Sequence, residues 1–110
     1  MQPAEDMAVL EIDLGANRRG TLNETFLSAF GDHVKYILAG MFGNTFLPVK
    51  VKGTRSEVGA FGKALKGEKR YMKAYRKYGL DDPRTHQSKA KLRNAVTKFE
   101  RATGLKWPLK

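Results

Sequence analysis

The chain has 110 residues, with 21 Lys and Arg against 11 Asp and Glu, a formal charge of +10 and no cysteine. The missing cysteines exclude disulfides, thiolate metal sites and cysteine nucleophiles. An apolar content of 41% excludes a disordered composition, and the length suits one small core rather than two.

One domain is therefore expected over residues 1–110, with a flexible tail at 1–7, an acidic β-α-β part at 8–52 and a basic helix hairpin at 53–110. The longest apolar stretch, Tyr36 to Phe42, falls well short of the about 20 residues needed to span a bilayer. Glu5 and Asp6 stand where a secretory signal would carry positive charge. Neither a membrane partner nor export is expected.

Val9 to Leu14 alternates, with Leu10, Ile12 and Leu14 on one face and Glu11 and Asp13 on the other. A period of two predicts a strand with one buried face. A loop follows from Gly15 to Gly20. Thr21 and Glu24 have the spacing of a capping box, so a helix is expected to open at Thr21. Leu22, Phe26, Phe30, Val34, Ile37, Leu38 and Met41 then recur at helical spacing. At about 100° per residue they spread over an arc of about 200°, wider than the stripe of a surface helix. Such a helix is either central to the core or turned toward a second subunit, and a homo-oligomer is the expected state. Gly43 and Asn44 end it.

Phe46 to Lys52 reads as a second strand, with Leu47, Val49 and Val51 inward and Lys50 and Lys52 outward. Pro48 lacks an amide donor and argues for an edge. Thr54 and Glu57 form a second capping box, opening a helix that runs to about Tyr78. Gly79 is expected in the left-handed conformation, with Leu80 packing back on the helix end. Asp82 and Pro83 suit the N-cap and first position of a last helix from Pro83 to Thr103. Leu92, Ala95, Val96 and Phe99 form its inward face, and Gly104 stops it. Leu105 and Trp107 are expected to fold back on the core, because an exposed Trp forfeits a large apolar burial. The fold class is α+β and helix-rich, in the order strand, helix, strand, helix, helix, with a C-terminal antiparallel helix hairpin.

The charge is uneven. Residues 1–43 hold three Lys and Arg against six Asp and Glu, a net of −3, and residues 44–110 hold 18 against five, a net of +13. Arg55, Lys63, Lys66, Lys69, Arg70, Lys73, Arg76 and Lys77 share an arc of about 140° on the helix after Thr54, with no acid among them. A merely solvated face gains stability from acids placed at i,i+4, and this face forgoes that gain. Cations at this density suit a phosphate backbone. Tyr71 and Tyr78 border the arc, where a base or sugar stacks. Arg18 and Arg19, between two glycines before a helix, are a secondary candidate for phosphate. Glu68 falls on the apolar side of the same helix and calls for a cationic partner such as Arg84 or Lys91.

The sequence carries no convincing catalytic or metal signature. His33 and His86 stand apart, and only Asp81 or Asp82 lies near the latter in sequence. Gly62 to Gly67 has Glu68 where a phosphate loop needs Lys. Gly59-Ala-Phe-Gly62 has the spacing of a KH-domain loop but falls inside the capped helix. No enzyme activity, cofactor or metal is expected.

Gly79-Leu-Asp-Asp-Pro-Arg-Thr85, followed by Lys98-Phe-Glu-Arg-Ala-Thr-Gly-Leu-Lys-Trp-Pro108, resembles the tails of small uncharacterised proteins encoded by tailed bacteriophages, notably marine ones. The resemblance covers the last quarter to half of the chain and implies a viral origin, hence the host cytoplasm or a virion. It assigns a role to no residue. The residues point to a nucleic-acid-binding accessory protein that contacts phosphate through the basic helix, DNA or RNA being its partner. The rival is a virion subunit or adaptor, whose apolar helix 21–43 forms an interface and whose basic face meets an acidic protein.

Overall fold

The computed structural model describes residues 9–43 and 48–109. Strand β1 spans Leu10–Asp13, helix α1 Glu24–Phe42, strand β2 Val49–Lys52, helix α2 Arg55–Tyr78 and helix α3 Pro83–Thr103. The expected tail at 1–7, Asn44 at the helix end and the Phe46–Leu47 part of the second strand lie outside the described residues.

The two strands are parallel, with Leu10 opposite Val49 and Ile12 opposite Val51. Parallel neighbours need a crossover, and α1 supplies it, so the first half is a β-α-β unit. The backbone N–H of Leu10 donates to Pro48 O and that of Leu14 to Lys52 O, each at 2.8 Å. The period of two holds: Ile12 and Leu14 are buried while Glu11 is exposed and pairs with Lys52 at 3.1 Å. Two strands make a marginal sheet in water, and the core cluster packs Ile12 and Leu14 against side chains of α1, α2 and α3.

Helix α1 starts later than its capping-box spacing suggests. Asn23 is the N-cap, its Oδ1 accepting from the Phe26 N–H at 2.8 Å. Thr21 instead closes the preceding loop, its hydroxyl donating to Ala16 O at 3.2 Å and its N–H to the same oxygen at 3.0 Å. Asn caps at least as well as Thr, so the loop takes the threonine at no loss to the helix. The capping box of α2 forms as expected, Thr54 N–H donating to Glu57 Oε1 at 2.8 Å and Glu57 N–H to Thr54 Oγ1 at 3.1 Å.

Helices α2 and α3 form an antiparallel hairpin joined by residues 79–82. The hairpin closes tightly at Gly67, where an added Cβ would stand 3.3 Å from the Leu92 backbone. Asp82 caps α3, its Oδ1 accepting from the Arg84 N–H at 2.8 Å, and Pro83 opens the helix. Gly79 departs from expectation: its φ is positive, +86°, but its ψ of 170° lies far from the left-handed helical region. The chain therefore leads away from α2, Leu80 is left 55% exposed, and the Gly79 carbonyl accepts from the Thr85 hydroxyl at 2.7 Å.

An aromatic cluster holds the layers together. Phe99 of α3 stacks on Phe30 of α1 at 6.0 Å, meets Phe61 of α2 at 5.9 Å and takes Trp107 edge-on at 5.2 Å. The segment after Gly104 returns to the core as expected, with Leu105 and Trp107 buried. The Trp107 backbone N–H donates to Glu100 Oε2 at 2.9 Å and fixes the return. No helix among the described residues is long and apolar enough to cross a membrane.

Candidate functional site

The 24 residues of α2 give a rod of about 36 Å. Its inner side carries Phe61, Ala64 and Leu65, all buried, and this burial orients the opposite side to solvent. There Lys63, Lys66, Arg70, Lys73 and Lys77 follow one another at spacings of three and four. That spacing draws a straight stripe of five cations over about 21 Å. Lys69 and Arg76 flank one side of it, and Arg55 stands at the helix start. All eight are exposed except Lys69, which is half-buried.

Among the described residues, none of these eight cations is paired with a carboxylate. The ion pairs lie elsewhere: Arg18 with Glu57, Arg19 with Asp13, Lys52 with Glu11 and Arg84 with Asp82. Lys66 with Arg70, Lys69 with Lys73 and Lys73 with Lys77 are like-charged i,i+4 pairs, each costing up to about 0.5 kcal/mol. Lys66, Lys69, Arg70 and Lys73 surround a shallow depression of about 300 Å³.

A second basic feature emerges only from the hairpin. Ser56, Gly59 and Ala60 of α2 and Ala95 and Ala102 of α3 floor a groove of about 380 Å³, with Arg55 and Lys63 on one wall and Lys98 on the other. Lys98 looks like ordinary solvation along α3 alone. Its spacing from Ala95 and Ala102, small residues turned toward α2, is the signal that could have found it.

The flanking aromatics are partly committed. Arg84 lies over the Tyr78 ring, with Cζ 3.5 Å from the centroid, and Lys77 Nζ lies 5.4 Å from the same ring. Arg76 lies over Phe42 at 5.0 Å and ties α2 to the end of α1. Tyr71 is half-buried.

Arg18 and Arg19 both have internal carboxylate partners. Arg18 donates to both oxygens of Glu57, Nε to Oε2 and Nη2 to Oε1, each at 2.9 Å. The Glu57 side chain is 3% exposed while that of Arg18 is 48% exposed, so the loop arginine plugs the start of α2. The Arg18 hydrogen bonds, against the opposing effect of burial, hold the Glu57 carboxyl below the usual carboxylate range. A depressed folded value stabilises the fold above the unfolded value of about 4.3, and that contribution is lost as pH falls through the folded value. Glu57→Gln is therefore expected to flatten the fall of the urea midpoint below about pH 5, while lowering the midpoint at neutral pH. A wild-type acid slope unchanged in the variant would remove Glu57 as its source.

Glu68 has a different neighbour from the one its position suggests. Arg84 is engaged by Asp82 and Tyr78, and Lys91 is exposed and forms no ion pair with it. The Glu68 Oε2 instead accepts from Trp107 Nε1 at 2.7 Å, 39 residues away. Burial pushes this carboxyl above the usual range, with the Trp107 hydrogen bond opposing.

His33 is half-buried and shares a cavity of about 210 Å³ with Glu11 and Asp13, while His86 is exposed on α3. Among the described residues no three His, Asp or Glu gather as a metal site. Compared with known protein families, curated proteins and solved structures, the chain shows no match.

Proposed function

We propose that this protein binds nucleic acid along α2, reading the phosphate backbone of DNA or RNA rather than the base sequence. The observation that carries the reading is the stripe from Lys63 to Lys77, solvent-facing and without a carboxylate partner among the described residues. The like-charge repulsion within it lowers the stability of α2 and is relieved when phosphates replace small counterions. The groove walled by Arg55, Lys63 and Lys98 extends the positive surface from α2 toward α3. Phosphate contacts position a protein without specifying sequence, which suits an accessory role, phage-encoded as the resemblance of its C-terminal part implies. Arg18 and Arg19 play no part in this reading, since their charges are internally matched.

The test is a titration of guanine-free single and double strands at several salt concentrations. Five phosphate contacts predict a log–log salt slope of about −4.5 for duplex and about −3.5 for single strands. Absence of binding to both at low salt defeats the reading.

A second reading rests on a separate observation. Ile37 and Met41 of α1, Val49 and Val51 of β2, and Val58 and Leu65 of α2 line an open apolar groove of about 370 Å³. Such a surface on a small domain suits self-association, as in a virion subunit. Sedimentation equilibrium decides it: a concentration-dependent dimer that Val58→Lys converts to monomer is the expected outcome, and a monomer throughout rejects it.

A further inference from the structure

Beside Glu68 lies a cavity of about 230 Å³ on the side of the hairpin where the C-terminal segment returns. Leu92, Val96 and Trp107 supply apolar wall, and Lys89 and Arg93 of α3 are the only cations among its described lining residues. Glu68 is 7% exposed, and its single described hydrogen-bond partner is Trp107. Neither Lys89 nor Arg93 closes an ion pair with it among the described residues. A carboxylate buried without a cationic partner is costly, and two cations line the same cavity without neutralising it. The arrangement leaves carboxylate lone pairs for an incoming donor, because each oxygen accepts two hydrogen bonds and Trp107 uses one of the four.

We infer that this cavity is a guanine-nucleotide site in which the Glu68 carboxylate accepts from guanine N1–H and N2–H while Lys89 and Arg93 hold the phosphate. Three features select this chemistry. The cavity is smaller than the ~300–1,000 Å³ typical of drug-sized ligands and suits one base. The buried recognition group in its ionised form only accepts, and guanine alone among the common bases sets two N–H donors side by side. Adenine and cytosine put a ring-nitrogen acceptor beside their amino group, and uracil flanks its N–H with two carbonyls. A guanidinium or amine ligand would offer donors too, but Lys89 and Arg93 repel it; a guanine nucleotide brings donors at one end and negative charge at the other. The site stands apart from the α2 stripe, which occupies the opposite side of that helix, and neither reading needs the other.

Trp107 is the only tryptophan, so its fluorescence, supported by calorimetry, reports binding directly. GMP is expected to change it saturably. IMP, which lacks the N2 amino group, is expected to bind about tenfold more weakly, and AMP and CMP more weakly still. Glu68→Gln should remove the advantage of GMP over IMP, and Arg93→Gln should weaken GMP while leaving guanosine unchanged. Equal titration by AMP and GMP, or a GMP preference that survives Glu68→Gln, overturns the inference. If Glu68→Gln does not fold, the wild-type comparison of GMP with IMP decides alone. Guanine-containing oligonucleotides, set against guanine-free ones of equal length, show whether the base comes from a strand or from a free nucleotide. Binding of the guanine-free strand reports the α2 stripe only, so either site can fail without the other.

Discussion

Reversing Lys66, Arg70 and Lys73 to Glu is expected to weaken binding to a guanine-free oligonucleotide by about a thousandfold at low salt, at about tenfold for each charge-assisted hydrogen bond to phosphate that the change removes. The log–log salt slope for duplex should fall in magnitude from about 4.5 to about 1.8, because two of five stripe cations remain. Folding should survive, since all three side chains are exposed and none is in an ion pair among the described residues. The new acids also meet Lys63, Lys69 and Lys77 at helical spacing and offset their own repulsion. The net charge drops from +10 to +4, so net charge alone must be controlled. Lys50→Glu, Lys91→Glu and Arg101→Glu make the same change at exposed positions off the stripe. If location governs binding, this second triple variant retains affinity to within about tenfold and keeps the steep slope. Equal losses in the two variants would mean that the whole protein's field attracts the polyanion and that α2 holds no site.

What the residues disclosed in advance was local and periodic. The ends of α3 follow from Asp82, Pro83 and Gly104, each acting on backbone groups within a few residues. The exposed cationic side of α2 follows from its spacing, because burial of Phe61, Ala64 and Leu65 leaves the other side one orientation. What remained hidden depends on contacts far apart in sequence. Glu68 and Trp107 are 39 residues apart, as are Arg18 and Glu57, and no pattern within one element indicates either pairing. Local chemistry also misled where two residues competed for one role. Thr21 and Asn23 both suit a cap, and the loop's need for a donor to Ala16 O decides between them. Gly79 has the positive φ that its position invites, but the Thr85 hydroxyl holds its carbonyl and Leu80 never returns to the helix.

Glu57 and Glu68 lie eleven residues apart on the same side of α2, and both are buried. Their partners make them opposites. Glu57 is met by a guanidinium and by the Thr54 backbone N–H of its own capping box, so ionisation stabilises the fold there. Glu68 is met by one neutral indole donor, so ionisation opposes folding: its contribution is favourable below the unfolded value and is lost as pH rises through the raised folded value. One carboxylate is structural. The other is held at a cost that a bound ligand can relieve.

Phe99→Ala is expected to be the most damaging single substitution, destabilising the fold by about 3–5 kcal/mol. The side chain is fully buried and meets rings from three other parts of the core: Phe30 of α1, Phe61 of α2 and Trp107 of the returning segment. Truncation loses the apolar burial, leaves a cavity between three elements and removes ring pairs worth about 0.5–1.5 kcal/mol each beyond burial. Against a total stability of about 5–15 kcal/mol, such a loss brings the chain close to unfolding. A urea titration followed by Trp107 fluorescence measures it: the midpoint should fall sharply with the slope unchanged. Phe99→Leu, which keeps most of the volume, should cost about 1–1.5 kcal/mol. Leu80→Ala, at a residue 55% exposed, should cost at most about 0.5 kcal/mol. A Phe99→Ala loss no larger than that of Leu80→Ala would mean that the ring cluster does not hold the layers together. Any folded Phe99→Ala protein also tests the buried carboxylate: without Phe99 the Trp107 ring loses its closest aromatic neighbour, the hydrogen bond to Glu68 loosens, and discrimination between GMP and IMP should fade while binding of a guanine-free strand to the α2 stripe persists.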